Sequence, residues 1–316
     1  MSDAKLQLPA YAKINLLLRV LGRRDDGYHE IETVFQTVSL HDTLAYEPLE
    51  DRRIELTCSD PDIPADETNL VHRAAVALRD SCGVEAGARV TLEKRIPSQA
   101  GLGGGSSDAA ATLCGLASLW NLSVGKAELV RLAARLGADV PFFLTGGTAL
   151  GTGLGTDVRP LVDAPARALV VVTPGVKVST AEAYKLLNAP ALTKEGADVN
   201  LPISRAGLDF SGSLRAVMRN DFEASVFGLE PEIERARDAL RSSGAEAAML
   251  SGSGSSVFGV FENPGAAHAA ARALAAERGW QVFECRTVGR AEYAESRRAC
   301  AARLRGRDGG EDEIGA

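Results

Sequence analysis

PSQAGLGGGSSDAAA, residues 97–111, sets four glycines (Gly101, Gly103, Gly104 and Gly105) within five positions and follows them with two serines, an aspartate and three alanines. A glycine cluster taken alone reads as a linker or a surface turn. The flanks of this one argue otherwise. Residues 88–96 (ARVTLEKRI) alternate as a strand, and Leu113, Leu116, Ala117 and Trp120 recur as the apolar face of a helix expected to begin near Ser107. A loop fixed between strand and helix can turn successive amides to one side and admit a ligand close to its backbone. The helix N-terminus adds partial positive charge, and the combination suits a phosphate group. Neither GxGxxG nor GxxxxGK[ST] fits the register, so the cradle is of neither the dinucleotide nor the Walker type. Of Ser106 and Ser107, one is expected to cap the helix and the other to touch the ligand, with the order open. Asp108 reads as a first-turn acid favoured by the helix dipole, with help to a cation as the alternative.

Outward from the loop, residues 13–20 (KINLLLRV) form a strand in which period 2 puts Lys13, Asn15 and Leu17 on one face and Ile14, Leu16 and Leu18 on the other. Gly22, Asp25, Asp26 and Gly27 mark a turn that leaves DDGYH in a loop before a second β-like stretch, residues 30–40. Helices are expected at 69–82 and at 126–136, the second ended by Gly137. Residues 157–172 (DVRPLVDAPARALVVV) read as a proline-containing connection into an apolar strand, the expected boundary between domains 1–162 and 163–304. Beyond it, helices at 180–187, 231–242 and 264–278 alternate with strands at 247–250, 257–261 and 281–286. A second Gly/Ser run, LSGSGSSVFGVF (250–261), precedes a strand. Alone it is a turn, but two such loops from different domains can close over one nucleotide and put the site at the domain interface.

The bulk numbers bound the function. A chain of 316 residues suggests two domains at about 150 residues each, and 45% hydrophobic with 24% charged residues is an ordinary globular composition. The net charge of −7 comes from interspersed acids and bases, which argues against a nucleic-acid face built by bulk electrostatics. Five widely spaced cysteines without CxxC disfavour a disulfide framework or a zinc site and fit a reducing cytosol. The N-terminus lacks a signal pattern and no run of about 18 apolar residues exists, so secretion and membrane spanning are not expected. Residues 305–316 (RGRDGGEDEIGA) are expected to be a disordered tail.

Three segments, PAYAKINLLL (9–18), PSQAGLGGGSSDAAA (97–111) and LSGSGSSVFGVF (250–261), resemble in order and spacing the signature motifs of the GHMP small-molecule kinases, and the likeness runs from about residue 8 to 290. DDGYHEIETVFQ (25–36), LGADVPFFLTGG (136–147) and NDFE (220–223) are similar to the branch of that family whose substrate carries a cytidine diphosphate group. The resemblance implies an α+β, two-domain GHMP kinase fold, with an N-terminal domain like domain 2 of ribosomal protein S5 and a ferredoxin-like C-terminal domain. It also implies ATP as co-substrate, Mg2+ arriving with ATP rather than on a separate acidic cluster, a small-molecule alcohol as acceptor, and neither nucleic acid nor membrane as partner.

By the same resemblance Pro97, Ser98, Gln99, Ala100, Gly101, Leu102, Gly103, Gly104, Gly105, Ser106 and Ser107 wrap the phosphates. Asn69 and Lys94 lie near the nucleotide, and Lys13 and Asp139 form the catalytic pair. On the residues alone, Lys13 is equally an edge-strand lysine and Asp139 an N-cap for a helix through Phe142 and Phe143. A lysine beside the carboxylate would keep it ionised and help it take a proton from a substrate hydroxyl. Asn15, Tyr28, His29, Thr180 and Tyr184 are the expected substrate contacts: Tyr28 offers cytosine a stacking face worth about 1–3 kcal/mol, and His29 can read the base edge. Rival readings are a homoserine, mevalonate or sugar kinase of the same family, a non-catalytic nucleotide sensor, and an RNA-binding module. Lys13 and Asp139 weigh against the sensor, and the net charge against the RNA binder.

Overall fold

The computed structural model describes residues 6–187, 189–190 and 218–305, so the expected tail lies, beyond Arg305, outside them. Strands β1 (Leu6–Arg23) and β2 (His29–Leu49) pair antiparallel and form the spine of the first sheet. The C-terminal half of β2 carries β4 (Gly87–Glu93), with β3 (Ile54–Cys58) parallel beside it. Its N-terminal half carries β5 (Thr148–Gly153), which pairs in turn with β6 (Asp157–Pro160). Thus part of the segment expected as a connection, DVRP, is a short strand, because β5 offers it an open edge. Helices α1 (Leu70–Cys82), α2 (Gly104–Leu119), α3 (Lys126–Leu136) and the single turn α4 (Phe142–Thr145) cover one face over a core that includes Leu44, Tyr46, Leu78, Leu113 and Phe142.

The second sheet contains β7 (Ala168–Pro174), β9 (Ala247–Leu250), β10 (Val257–Phe261) and β11 (Trp280–Arg286) in the order β11-β7-β10-β9, every neighbouring pair antiparallel. Helix α7 (Pro231–Ser242) lies between β7 and β9 in the chain, and α8 (Pro264–Leu274) between β10 and β11. That succession of strand, helix, two strands, helix and strand is the ferredoxin-like arrangement. Inserted between β7 and α7 are α5 (Thr180–Leu187), the two-residue β8 (Arg219–Asn220) and α6 (Glu223–Leu229). β8 returns to the first sheet and pairs parallel with β1 at Leu17 and Leu18.

Strand alternation shows how the layers stack. Leu169 and Val171 of β7 join Ile14, Leu16, Val34, Phe258 and Val260 in a core between the two sheets, while Val170 and Val172 face Ile233, Leu240 and Ala267 of the outer helices. The order is therefore helices, sheet, sheet, helices. β1 carries register shifts between Tyr11 and Lys13 and between Asn15 and Leu17. The first swaps its faces: Leu6, Leu8 and Ala10 belong to the helix-side core, whereas Ala12, Ile14 and Leu16 belong to the inter-sheet core. Lys13 and Asn15 consequently emerge on the helix side. The second shift corrects the simple alternation, because Leu17 joins Ile14 and Leu16 between the sheets instead of sharing a face with Lys13.

A helix not expected from the sequence, α9 (Arg290–Arg305), lies along β1, and Tyr293 Oη and Arg297 Nη1 both donate to the Phe143 carbonyl, at 2.5 and 2.8 Å. The Trp120 indole donates to Gly87 O at the C-terminal end of α2, and Trp280, buried at the start of β11, donates to Glu232 beneath the Arg235 guanidinium. No helix among the described residues is long and apolar enough to cross a membrane.

Candidate active site

The glycine loop is anchored from below. Ala100 and Leu102 are buried in the inter-sheet core, and Leu102 O accepts the backbone amide of Lys13 at 2.9 Å. Gly101 and Gly103 take positive φ (77° and 71°), a conformation that favours glycine. Helix α2 begins at Gly104, three residues before the expected start, because Gly103 in the left-handed conformation is its N-cap and two glycines occupy its first positions. Neither Ser106 nor Ser107 is the cap, which corrects the expectation for that pair. The first-turn amides, without side-chain capping bonds and without intrahelical acceptors, are the donors of the cradle. Ser107 Oγ is buried and has no hydrogen-bond partner among the described residues. Ser98, Gln99 and Gly105 are exposed at the mouth, while Pro97, Gly101, Gly103, Gly104 and Ser106 are half-buried.

The second Gly/Ser run roofs this loop. Ser251 Oγ donates to Gly101 O at 3.0 Å, and the amide of Ser256 to Ala100 O at 3.0 Å. A Cβ on Gly101 would stand 2.1 Å from Ser251 O, and one on Gly252 would stand 3.1 Å from Gly101 O and 3.4 Å from Lys13 Nζ. The two loops touch backbone to backbone, with the lysine beside the contact.

Lys13 is 3% exposed, and its ammonium donates to Asn15 Oδ1 at 2.7 Å and lies 3.4 Å from Asp139 Oδ2. Asn15, 1% exposed, donates to Thr33 Oγ1 at 2.7 Å, and that hydroxyl donates to Leu17 O. The Asn15 carboxamide is thus engaged at both ends, and its place in this structure is to orient Lys13. Asp139 does not cap α4 through its side chain: Phe142 donates to the Asp139 backbone carbonyl, and the carboxylate turns to Lys13.

Lys94 and Asp108 make a buried cluster that was not legible in sequence. Lys94 Nζ donates to Asp42 and, at 2.9 Å, to Asp108, while Asp42 also accepts the amides of Arg95 and Ile96. Asp108 is therefore no first-turn acid of α2 but lies past that turn as a buried partner of Lys94, which corrects that expectation. Burial pushes its carboxyl up to about 7, with the Lys94 ammonium opposing and the Asp42 carboxylate reinforcing. Burial works against the Lys94 charge, yet Asp108 and Asp42 outweigh it and hold the ammonium above its ordinary value. A Cβ on Gly104 would stand 3.3 Å from Lys94 Nζ, so the cluster lies directly beneath the cradle. Asn69 is the N-cap of α1, accepting from Val71 N and donating to Pro64 O, and so shapes the loop before that helix.

Farther along the first sheet, His29 and Tyr184 stack with ring centroids 4.7 Å apart, and Tyr184 meets Phe222 edge-on at 4.8 Å. Tyr28, next to His29 in sequence, is 63% exposed. Burial, followed by the Arg23 charge, lowers the His29 pKa, which favours the neutral imidazole. Tyr184 is pushed up to about 12, first by burial and then by the charge of Asp139, so the aromatic group and the carboxylate share one electrostatic environment. Thr180 Oγ1 is 2.9 Å from Ser253 Oγ, which ties α5 to the roof loop. The structure thus brings Lys13, Asp139, the cradle and the roof loop together, with His29, Tyr184 and Thr180 on one flank. Asn220, Asp221 and Glu223 carry no signal in the sequence beyond the NDFE motif that contains them.

Residues 69–147 match the family model of the GHMP kinases N terminal domain, and residues 209–279 that of the GHMP kinases C terminal. A 4-diphosphocytidyl-2-C-methyl-D-erythritol kinase of Prosthecochloris aestuarii is 43% identical over 86% of this chain and 94% of the relative. Its counterpart in Syntrophus aciditrophicus is 41% identical over 90% of this chain and 99% of the relative. A crystal structure of 4-(cytidine 5'-diphospho)-2C-methyl-D-erythritol kinase superposes with a TM-score of 0.74 at 37% identity, covering 90% of this chain and all of that one. The homoserine kinase of Cytophaga hutchinsonii, at 23% identity and TM-score 0.70 over 92% of this chain and 96% of its own, shares the fold.

Proposed function

The chain belongs to the 4-diphosphocytidyl-2-C-methyl-D-erythritol kinases of the GHMP family, and from that membership we propose that it moves the γ-phosphoryl group of ATP to the 2-hydroxyl of 4-diphosphocytidyl-2-C-methyl-D-erythritol. The substrate hydroxyl oxygen forms a bond to the γ-phosphorus as the bond from that phosphorus to the β,γ-bridging oxygen breaks. ADP leaves, and the hydroxyl proton passes to Asp139. The step belongs to the non-mevalonate route to isoprenoid precursors.

The observation that carries the reading is the Lys13–Asp139 pair, 3.4 Å apart, beside the cradle and its roof. Phosphoryl transfer needs in-line positioning and charge stabilisation more than strong base catalysis. Lys13, held by Asn15, pairs with the Asp139 carboxylate and aims it, and its charge also stabilises the transferring group. Residues 97–107 hold the ATP phosphates through the first-turn amides of α2, with Lys94 beneath and Asn69 shaping the neighbouring wall. Among the described residues no cluster of three His, Cys, Asp or Glu could hold a metal, but the buried, unpartnered Ser107 hydroxyl fits as a protein oxygen for Mg2+ carried by the nucleotide. Mg2+ would supply neutralisation of the β- and γ-phosphate charge.

Tyr28, His29 and Tyr184 form the cytosine site. The base would separate the stacked His29 and Tyr184 rings or lie on the exposed face of Tyr28. We place the domain boundary near residues 162 and 163; the passage of the chain from one sheet to the other between β6 and β7 supports it.

An assay of ADP release by the purified protein, comparing the cytidyl substrate with mevalonate and homoserine, tests the reading. Turnover with the cytidyl substrate and negligible turnover with the other two is expected. Full activity on mevalonate or homoserine would instead assign the chain to another branch. Tyr28→Ala is expected to raise KM for the cytidyl substrate by about 5- to 100-fold, the range that loss of one stacked ring allows. An unchanged KM would place the cytosine elsewhere.

A further inference from the structure

The NDFE segment (220–223) touches neither loop of the nucleotide cradle with a ligand-facing group, yet three of its side chains hold the roof and its supporting strand. Asn220, 6% exposed, donates from Nδ2 to both Leu250 O (2.9 Å) and Gly252 O (2.8 Å) and accepts the amide of Phe222 on Oδ1 (3.0 Å). Glu223 Oε1 accepts the amide of Leu250 at 3.0 Å. Asp221 Oδ2 accepts the amide of Val20 at 3.0 Å, and the Asn220 backbone pairs with Leu18 in β8. The segment therefore grips the 250–252 turn on one side and β1 on the other. β1 carries Lys13, and the turn carries Ser251 and Gly252, which meet Gly101 and Lys13.

We propose that Asn220 is a positioning residue for the phosphoryl-transfer site. Its carboxamide fixes the height of the 250–252 turn over the glycine loop relative to the strand that presents Lys13. Two carbonyl acceptors two residues apart, both bound by one Nδ2, fix the curvature of the turn, and the backbone pairing of the same residue fixes its distance from β1. Asn220 acts through the turn and contacts no reacting atom. The inference rests on the kinase reading above, but nucleotide affinity tests it without any acceptor substrate.

The test compares Asn220→Ala, Asn220→Asp and Ser251→Ala with the unaltered chain by steady-state kinetics and by ATP calorimetry. Asn220→Ala is expected to raise KM and Kd for ATP by at least about fivefold and to lower kcat by at least about tenfold, with KM for the cytidyl substrate within about twofold. An ionised aspartate cannot donate to Leu250 O or Gly252 O, whereas the protonated acid restores one donor. Relative to the unaltered chain, Asn220→Asp should thus gain several-fold in activity between pH 8 and pH 6, since burial raises the pKa of such a carboxyl. The neighbouring charges, Arg219, Asp221 and Glu223 with Lys13 across the turn, are present in both proteins, so the unaltered chain is the reference for that profile. Ser251→Ala should raise Kd for ATP by about threefold and be non-additive with Asn220→Ala, because both act on one turn.

The proposal is overturned if Asn220→Ala lowers Tm but leaves both ATP constants and kcat within twofold. It is also overturned if the Asn220→Asp profile runs parallel to the reference at every pH. Should Asn220→Ala fail to fold, an unchanged Kd for ATP in Ser251→Ala overturns it. If the unaltered chain shows no turnover with the cytidyl substrate, the kinase reading fails, while the ATP affinities still decide whether Asn220 holds the roof.

Discussion

The side chain of Lys13 is 4% exposed and that of Asp139, 3.4 Å away, is 33% exposed, so the pair has a buried cation and a carboxylate that opens to solvent. Asp139→Asn keeps the shape but cannot accept the hydroxyl proton. It is expected to lower kcat by about 100-fold or more with ATP affinity nearly unchanged, as read by turnover and ATP titration. A near-normal kcat would remove Asp139 from the mechanism. Asp108 makes a different prediction. Burial lifts its folded pKa to about 7, above that of an ordinary carboxyl, so the native state holds more protons than the unfolded chain across that window and loses stability as pH rises through it. Asp108→Asn does not titrate; the variant's Tm minus that of the unaltered chain should increase by at least about 2 °C between pH 4.5 and pH 7.5. A difference that stays flat would mean that Lys94 keeps Asp108 ionised throughout. Lys13 and Asp139 could be picked out from their motifs, but no local pattern links Asp42, Lys94 and Asp108, which three separate segments bring together.

At the scale of elements, the loops and strand shifts carry the design. Gly101 has positive φ and no room for a Cβ against Ser251 O. Gly101→Ala should part the two loops and raise KM for ATP by at least about tenfold, with a fall in Tm of several degrees, since backbone rather than a movable side chain blocks the methyl group. Steady-state kinetics and a melting curve check both. The limits of α3, α5, α7, β9 and β10 follow from periodicity and capping in the sequence, and the structure has them at the same residues. The start of α2 did not, because Gly104 and Gly105 read as loop although a left-handed Gly103 sets them in the first turn. The faces of β1 were only half legible: alternation is a local rule, and a register shift reverses it without any mark in composition.

Across the whole molecule, the inter-sheet core joins the two halves so that neither sheet is closed without the other. Phe258, fully buried, lies in that core on β10. Phe258→Ala should destabilise the protein by about 3–5 kcal/mol, and calorimetry should show one transition for both halves in variant and unaltered chain alike. Two resolved transitions would mean that the halves fold as separate units. The two-domain organisation could be inferred from chain length and motif order, but β8, two residues long, and α9, whose apolar residues are mostly alanine, left no periodic signal. The arrangement of the rings also bears on how binding can be watched. Trp120 lies at the end of α2 opposite the glycine loop and Trp280 at the start of the edge strand β11, so their emission should barely respond to a ligand in the cleft. In the cytosine site proposed above, an indole placed against His29 by Tyr184→Trp would be quenched or released as the stack opens, giving an optical signal for binding there.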